Sequence, residues 1–383
     1  MSMKALSPCP HFHICGGCQY QDRPYCQQLQ DKQQRAEALL GAFGAVSPII
    51  GMEEPLHYRN KVVRSFGLDS KRRPVCGIYQ PKSHALVPVG DCLIEDAVCT
   101  HIAQDIFRLL PEFKIPVYDE RSGSGFLRHV LIRRGYQTGQ VMVVLVTASP
   151  IFKLQKPFLR KLLALHPEIT TVVLNINDRF GPVVLGTREK IIHGGGTIED
   201  VLGGLRFRLS SRSFYQVNPV QTEKLYAKAM ELAALTGRET ALDAYCGVGT
   251  IGLTAAGQAK QVVGVELNRD AVKDAIANAR LNAIKNSWFT AGDAGEYMEQ
   301  MAAQSAKPDV VFMDPPRAGS DERFIASLLK ASPKRVVYIS CNPETLKRDL
   351  ERITAGGYQV RHIQPVDMFP FTEHMECVTL LTK

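Results

Sequence analysis

The chain has 383 residues, 45% hydrophobic and 22% charged, with a formal net charge of +8. That length allows two domains or more, and the basic balance suits a polyanionic partner without requiring one. No run of eighteen apolar residues and no apolar signal core at the N-terminus is present, so neither a membrane-spanning helix nor a secretory leader is expected.

The chain opens with Cys9-x5-Cys15-Gly16-Gly17-Cys18, three thiols in one short stretch. Ten cysteines, some at metal-type spacing, fit a reducing cytoplasm better than secretion, and there such a stretch suggests zinc or an iron–sulfur cluster rather than disulfides. On the residues alone, Cys26 with zinc competes closely with a more distant fourth thiolate from Cys76, Cys92 or Cys99. His11 and His13 could also ligate zinc, although lone histidines more often face water. The spacing is not the C-x3-C-x2-C of radical-SAM enzymes. A helix rich in Gln, Ala and Leu is expected over Tyr25–Leu40, completing a first segment of residues 1–45.

Residues 46–205 carry strand-like runs at Val75–Tyr79, His129–Arg133, Val141–Thr147 and Thr171–Ile176. Two helices are expected between them, near Ala97–Leu110 and Phe152–Leu165, so this region reads as an α+β module. Basic runs recur: Arg59-Asn60-Lys61 with Arg64, Lys71-Arg72-Arg73, Arg128 with Arg133-Arg134, and Arg206-Phe207-Arg208 with Arg212. Aromatics interleave several of them. Lysine and arginine contact phosphates while rings stack on splayed bases; a solvated basic face explains any single run equally well. The glycines Gly194-Gly195-Gly196 and Gly203-Gly204 mark loops before the next boundary. No internal repeat stands out.

Residues 206–383 alternate strand and helix, as a parallel sheet requires. A helix over Thr222–Leu235 precedes a strand Ala241–Tyr245 that carries Asp243. A tight turn, Cys246-Gly247-Val248-Gly249-Thr250, opens the helix Ile251–Gln258. The strand Gln261–Glu266 then ends in an acid. Glycines let the backbone approach a ligand, and an acid about twenty residues on can bind ribose hydroxyls. A dinucleotide site wants G-x-G-x-x-G, whereas the pattern here is D-x-x-C-G-x-G-T with acids at both strand ends. Acids without an obvious cation suit a positively charged, phosphate-free cofactor, and S-adenosylmethionine is one. Asp293 follows a third strand, where an acid commonly holds an adenine amino group. Further crossover helices are expected over Asp270–Asn282 and Asp321–Ala331. Asp314-Pro315-Pro316-Arg317 and Ser340-Cys341-Asn342-Pro343 each end a buried strand, Asp309–Met313 and Arg335–Ile339. In doubly wound sheets ligands bind outside the carboxyl ends of strands, so one edge would present a carboxylate, two prolines and a thiol. Cys341 is then a candidate nucleophile; a small buried hydrophobe is the ordinary alternative for a free cysteine. An apolar strand Cys377–Leu381 closes the chain.

These pieces resemble the bacterial RNA uracil-C5 methyltransferase family. The resemblance is carried by Ser213-Phe214-Tyr215-Gln216-Val217-Asn218-Pro219, the Asp243–Thr250 turn, Gly264-Val265-Glu266, Asp314–Arg317, Ser340–Pro343 and Asp367–Glu376, in the family's order from about residue 9 to the C-terminus. It implies a Rossmann-like α/β methyltransferase domain over 206–383 and a central α+β RNA-binding domain over 46–205, with an N-terminal cysteine-cluster segment. It implies Cys341 as nucleophile and Glu376 as base. Gln216, Tyr245, Glu266 and Asp314 would contact S-adenosylmethionine, with Asp293. Thr250 stands where relatives can carry asparagine, and Tyr245 where some carry phenylalanine. The same resemblance implies a 4Fe-4S cluster on Cys9, Cys15, Cys18 and Cys92. Only eight residues precede Cys9, so the small β-barrel domain of many relatives is not expected, and a cluster without the barrel points to 23S rRNA rather than tRNA. The implied partner is RNA and the implied location the cytoplasm, with no membrane and no obligate protein partner. Two other readings are an NAD-type oxidoreductase, which gives Cys341 no role, and a non-catalytic cluster-containing RNA-binding or redox protein.

Overall fold

A computed structural model of the chain describes residues 9–304 and 307–383; Met1 to Pro8 of the expected cysteine segment lie outside the described residues. The chain divides into two compact units. The first holds residues up to Asp22 with Pro55–Val201 and Arg208–Arg212, and the second Arg23–Glu54, Leu202–Phe207 and Ser213–Lys383. The helix after the cysteines therefore belongs to the second unit, whereas the sequence reading grouped it with them.

In chain order the first elements are the short α1 (Phe12–Cys15) and α2 (Tyr25–Leu40). Then come β1 (Lys61–Leu68), β2 (Pro74–Tyr79), β3 (Leu86–Val87), α3 (Ala97–Leu109), β4 (Leu127–Arg134) and β5 (Val141–Thr147). The unit continues with α4 (Gln155–Leu165), β6 (Ile169–Ile176) and β7 (Arg188–His193). Its seven strands run in the order β3-β2-β1-β4-β5-β6-β7. β5 and β6 are parallel and joined through α4, while the neighbours on either side pair antiparallel. α3 starts where Asp96 accepts a hydrogen bond from Cys99 N at 3.1 Å, an N-cap that satisfies an otherwise orphaned amide. Ile102 and Ile106 of α3, with Phe158 and Leu162 of α4, close a core over Phe66, Val143 and Leu145. Each such buried side chain contributes about 1.5–3 kcal/mol.

A ribbon of β8 (Thr197–Leu202) and β9 (Leu205–Ser210) follows, then α5 (Pro219–Ala233). The doubly wound part is built from β10 (Thr240–Ala244), α6 (Thr250–Ala256), β11 (Gln261–Glu266), α7 (Arg269–Leu281), β12 (Ser287–Ala291) and α8 (Ala294–Ala303). It is completed by β13 (Val310–Met313), α9 (Glu322–Ala331), β14 (Arg335–Ser340), α10 (Pro343–Ala355), β15 (Gln359–Val366) and β16 (Glu376–Thr382). The order is β12-β11-β10-β13-β14-β16-β15, with β16 antiparallel to both its neighbours. β13 reads as a continuous apolar run and β10 as one interrupted by Asp243, because both faces are covered. Leu242, Val311, Met313, Val336 and Tyr338 pack with Phe324, Leu328, Leu346 and Leu350 from the helices, and Ala36 and Leu40 of α2 join the same core. Among the described residues no helix is long and apolar enough to cross a membrane.

Candidate active site

The strand order of the second sheet reverses between β10 and β13, and ligands of such sheets bind beyond the carboxyl ends at that point. Tyr245, the first residue past β10, takes a left-handed φ of 63°. Gly247 follows at φ 53°, with open space where a Cβ would stand. Its N–H donates to Glu266 Oε2 at 3.1 Å, and Asn268 N donates to Oε1 at 2.8 Å, so the acid at the end of β11 is held against the turn. A side chain at 247 would be strained at this φ and would project into that space. Asp243 is buried, with Oδ2 accepting from Gly252 N at 2.7 Å. A Cβ on Gly252 would lie 2.8 Å from that oxygen, so only glycine lets α6 come this close. Asp243 Oδ1 is buried without a hydrogen-bond partner, and burial, then the charges of Asp314 and Glu266, push its carboxyl up to about 8.

The thiol and carboxyl candidates lie on the next strands of the same edge. Met313 pairs with Tyr338, and Ser340 pairs with Cys377. Asp314 follows Met313, Cys341 follows Ser340 and Glu376 precedes Cys377 at the start of β16, so the neighbouring strands β13, β14 and β16 bring all three sequence candidates to one edge. Glu376 is 2% exposed and its Oε2 has no hydrogen-bond partner. Burial, and then Asp314, hold its carboxyl well above the usual range, with Arg317 opposing. The half-buried Asp314 is pushed up to about 7 by desolvation. Burial, then the charges of Glu376 and Asp314, raise the Cys341 thiol to about 11 against the opposing pull of Arg317. The loop carrying Arg317 is tied to the loop carrying Cys341: Asn342 Nδ2 and Thr345 Oγ1 both donate to the Arg317 carbonyl at 3.2 Å. Asn342 also caps α10, receiving Glu344 N at 3.2 Å, so Cys341 sits just outside a helix N-terminus, where a thiolate is favoured.

Behind Asp314 a second network fixes the loop. Tyr245 Oη lies 3.0 Å from Ser320 Oγ, Ser320 N donates to Asp349 Oδ2 at 2.8 Å, and Tyr338 Oη donates to the same oxygen at 2.6 Å. Thr250, at the start of α6, has its hydroxyl 3.0 Å from Tyr226 Oη. Sequence reading missed Tyr226: it is one more aromatic in a helical pattern, and only its surroundings distinguish it, burial first and then Asp314, Asp243 and Glu376 raising its hydroxyl. Asp293 follows β12 and accepts from Glu296 N at 2.9 Å, so its visible task is to cap α8. Gln216 is buried in the segment just before α5. Carboxyls with unpartnered buried oxygens, around a turn with open space above it, form a donor set that suits a cationic ligand without phosphates.

The N-terminal cysteines are a different case. Cys9, Cys15 and Cys18 share one unit with Cys92. Gly17 N donates to Cys15 Sγ at 3.4 Å, and the Cys18 thiol, near both other cysteines, is raised to about 11 by burial. Cys92 stands by the Arg64–Glu95 pair, with its thiol raised to about 12 by burial. Among the described residues, no three His, Cys, Asp or Glu side chains are gathered closely enough to hold a metal ion, so the expected set of Cys9, Cys15, Cys18 and Cys92 is not drawn together here.

The sequence profile of a family described as tRNA (uracil-5-)-methyltransferase matches residues 188–383. An RNA methyltransferase of Halalkalibacterium halodurans is 42% identical over 380 residues, covering 98% of this chain and 83% of its own. One from Enterococcus faecalis is 43% identical over 378 residues, covering 98% and 81%. Among solved structures, the Pyrococcus abyssi tRNA (uracil-54, C5)-methyltransferase in complex with S-adenosyl-L-homocysteine is similar with a TM-score of 0.81 and 27% identity, over 96% of this chain and 86% of that one.

Proposed function

This chain belongs to the tRNA (uracil-5-)-methyltransferase family and is an S-adenosylmethionine-dependent RNA uracil-C5 methyltransferase; on that premise we propose that Cys341 is its nucleophile, Glu376 its base and a uridine of 23S rRNA its target. The observation that supports this site is the pairing of Ser340 with Cys377, which leaves Cys341 and Glu376 at neighbouring ends of β14 and β16.

The chemistry follows from what uracil lacks. Its C5 is a weak nucleophile. Cys341 Sγ adds to C6, and the electrons of the C5=C6 bond become available at C5. S-adenosylmethionine, when bound, supplies an electrophilic methyl group, and the C5–CH3 bond forms as the sulfonium C–S bond breaks. Glu376 takes the C5 proton, the C5=C6 double bond re-forms, and the thiolate leaves C6. Splitting one hard step in this way is covalent catalysis, and a placed base contributes about 10²–10⁴-fold. Arg317 stabilises the thiolate against the two carboxyls that oppose it. Tyr245, Glu266 and Asp314 hold the methyl donor along the edge of β10, β11 and β13, with Gln216, Thr250 and Asp293 as further contacts. The target uridine leaves its stack to reach Cys341.

The choice of 23S rRNA rests on the cysteine segment of the family resemblance. The likeness to a tRNA methyltransferase structure favours tRNA as the second reading. The 4Fe-4S assignment to Cys9, Cys15, Cys18 and Cys92 rests on spacing and resemblance, and no step above uses it; iron and sulfide analysis of protein purified without oxygen tests it. Labelled S-adenosylmethionine offered with unmodified 23S rRNA, 16S rRNA and tRNA separately decides the substrate. Label on uracil C5 of 23S rRNA alone is expected, and label on tRNA alone overturns the rRNA assignment.

A further inference from the structure

Lys32 is a lysine with a fully buried side chain, far in sequence from the motifs of residues 206–383. Its Nζ lies 2.5 Å from Asp367 Oδ1 and donates to the Phe369 carbonyl at 3.1 Å. Tyr25, two turns earlier on α2, donates its hydroxyl to Asp367 Oδ2 at 2.7 Å and accepts from Met52 N at 2.9 Å. Gln28 Oε1 accepts from Phe371 N at 2.9 Å, and Arg35 Nη1 donates to the Glu373 carbonyl at 2.9 Å. Residues spaced by three and four along a helix share one face, so Tyr25, Gln28, Lys32 and Arg35 form a single polar stripe. Every member of that stripe grips the segment from Asp367 to Glu373, which leads directly into Glu376.

The segment is also held from α5. Asn218 Nδ2 donates to the Met368 carbonyl at 2.9 Å and Gln221 Nε2 to the Asp367 carbonyl at 3.0 Å. Between these anchors Phe371 adopts a left-handed φ of 66°, a strained conformation for a residue with a Cβ. Such strain persists only where the surroundings over-determine the backbone, and it concentrates at functional sites. Thr372 Oγ1 then bonds the Phe369 carbonyl at 2.8 Å, and the chain enters β16 at Glu376. A buried ion pair adds little stability over well-packed apolar side chains. What it adds is direction, because Asp367 must meet Lys32 and Tyr25 at fixed angles.

We propose that α2 is a polar clamp that sets the position of Glu376, with Lys32 and Tyr25 as positioning residues for the base. This rests on the assignment of Glu376 made above. The step that depends on it is the last one: when the C5–H bond is not broken by transfer of the proton to Glu376, the C5=C6 bond cannot re-form and the C6–S bond to Cys341 persists.

The test uses the full chain with ordinary uridine-containing substrate RNA and S-adenosylmethionine, comparing wild type, Tyr25→Phe and Lys32→Met. Three readouts are taken: turnover, SDS-stable enzyme–RNA complex, and the Kd for S-adenosylmethionine. A misplaced base is expected to lower kcat by about 10- to 100-fold. SDS-stable complex should accumulate above the wild-type level while the Kd stays unchanged. Tyr25→Phe removes one hydroxyl only, so it keeps the test decisive if Lys32→Met does not fold. Complex and turnover falling together, or neither changing, overturns the clamp. Wild type that forms no covalent complex even with 5-fluorouridine RNA overturns the assignment of Cys341 and Glu376 first, and the clamp with it.

Discussion

Asp314 and Glu376 are two carboxyls at one sheet edge, each held above its ordinary range, Asp314 by desolvation and Glu376 by burial and then by the charge of Asp314. They favour sharing a proton over carrying two charges. A cation delivered between them, such as a sulfonium, relieves the repulsion and displaces the proton.

Binding of S-adenosylmethionine is therefore expected to release a proton and to weaken as pH falls below about 7, where Asp314 takes a proton. With one linked proton the Kd rises by up to about tenfold per pH unit in that range. S-adenosylhomocysteine, which lacks the sulfonium charge, should show a flatter dependence. Calorimetry in buffers of different ionisation enthalpy measures the proton directly, and a Kd for S-adenosylmethionine that is flat from about pH 8 to pH 6 would sink this reading of the pair.

Asp314→Asn should trade function for stability. A carboxyl whose folded-state pKa is raised binds more protons folded than unfolded, so its contribution is lost as pH rises from about 4 through about 7. At pH 8 the wild-type protein without ligand carries that penalty and the variant does not. The variant is expected to be more stable there, by up to about 4 kcal/mol at about 1.4 kcal/mol for each pKa unit. Its affinity for S-adenosylmethionine should fall by about 100-fold, the loss expected for removing a charged partner. Denaturant melts and binding isotherms at the same pH check both signs.

Arg317→Gln should move the pH–rate profile. Burial and two carboxyls raise the Cys341 thiol to about 11, and Arg317 is the charge that opposes them. Without it the acid limb of kcat/KM should shift to higher pH, and the rate near neutrality should drop by about tenfold. An unshifted profile with a uniformly lower rate would instead assign Arg317 to RNA binding alone.

In the first unit the test of packing is Glu95→Gln. Arg64 Nη1 donates to Glu95 Oε1 at 2.6 Å, Arg64 Nη2 to Oε2, and Thr100 Oγ1 to Oε2 at 3.3 Å, all in buried surroundings. Removing one charge leaves Arg64 buried without its partner, which costs about 3–5 kcal/mol. Hydrogen exchange should show the loss in β1 and α3. Unchanged protection there would mean that the pair contributes nothing measurable.

The edge that carries Asp314, Cys341 and Glu376 was legible because each motif ends a continuous apolar strand, and strand ends of a parallel sheet converge by topology. The helix over Tyr25–Leu40 was legible as a helix but not as part of this unit. Its polar stripe reads as solvated, and only the contact with Asp367, more than three hundred residues on, shows otherwise. β1 escaped notice for a similar reason: Arg64 breaks the apolar run, and the partner that makes it tolerable, Glu95, lies on another segment. β15 carries a bulge between Val360 and His362 that upsets its alternation. β7, Arg188–His193, is largely exposed and offers no apolar pattern. Tyr226 needed the acids around it to be noticed.

The most direct measurement is mass spectrometry of the complex formed with substrate RNA bearing 5-fluorouridine at the target, in the presence of S-adenosylmethionine. Fluorine at C5 leaves no proton for Glu376 to remove, so the wild-type chain should be trapped on the RNA, with the modified nucleotide on the peptide containing Cys341 and a methyl group on C5. Cys341→Ala should form no adduct. An adduct mapped to another residue, or formed equally by Cys341→Ala, would contradict the assignment of the nucleophile on which the mechanism stands.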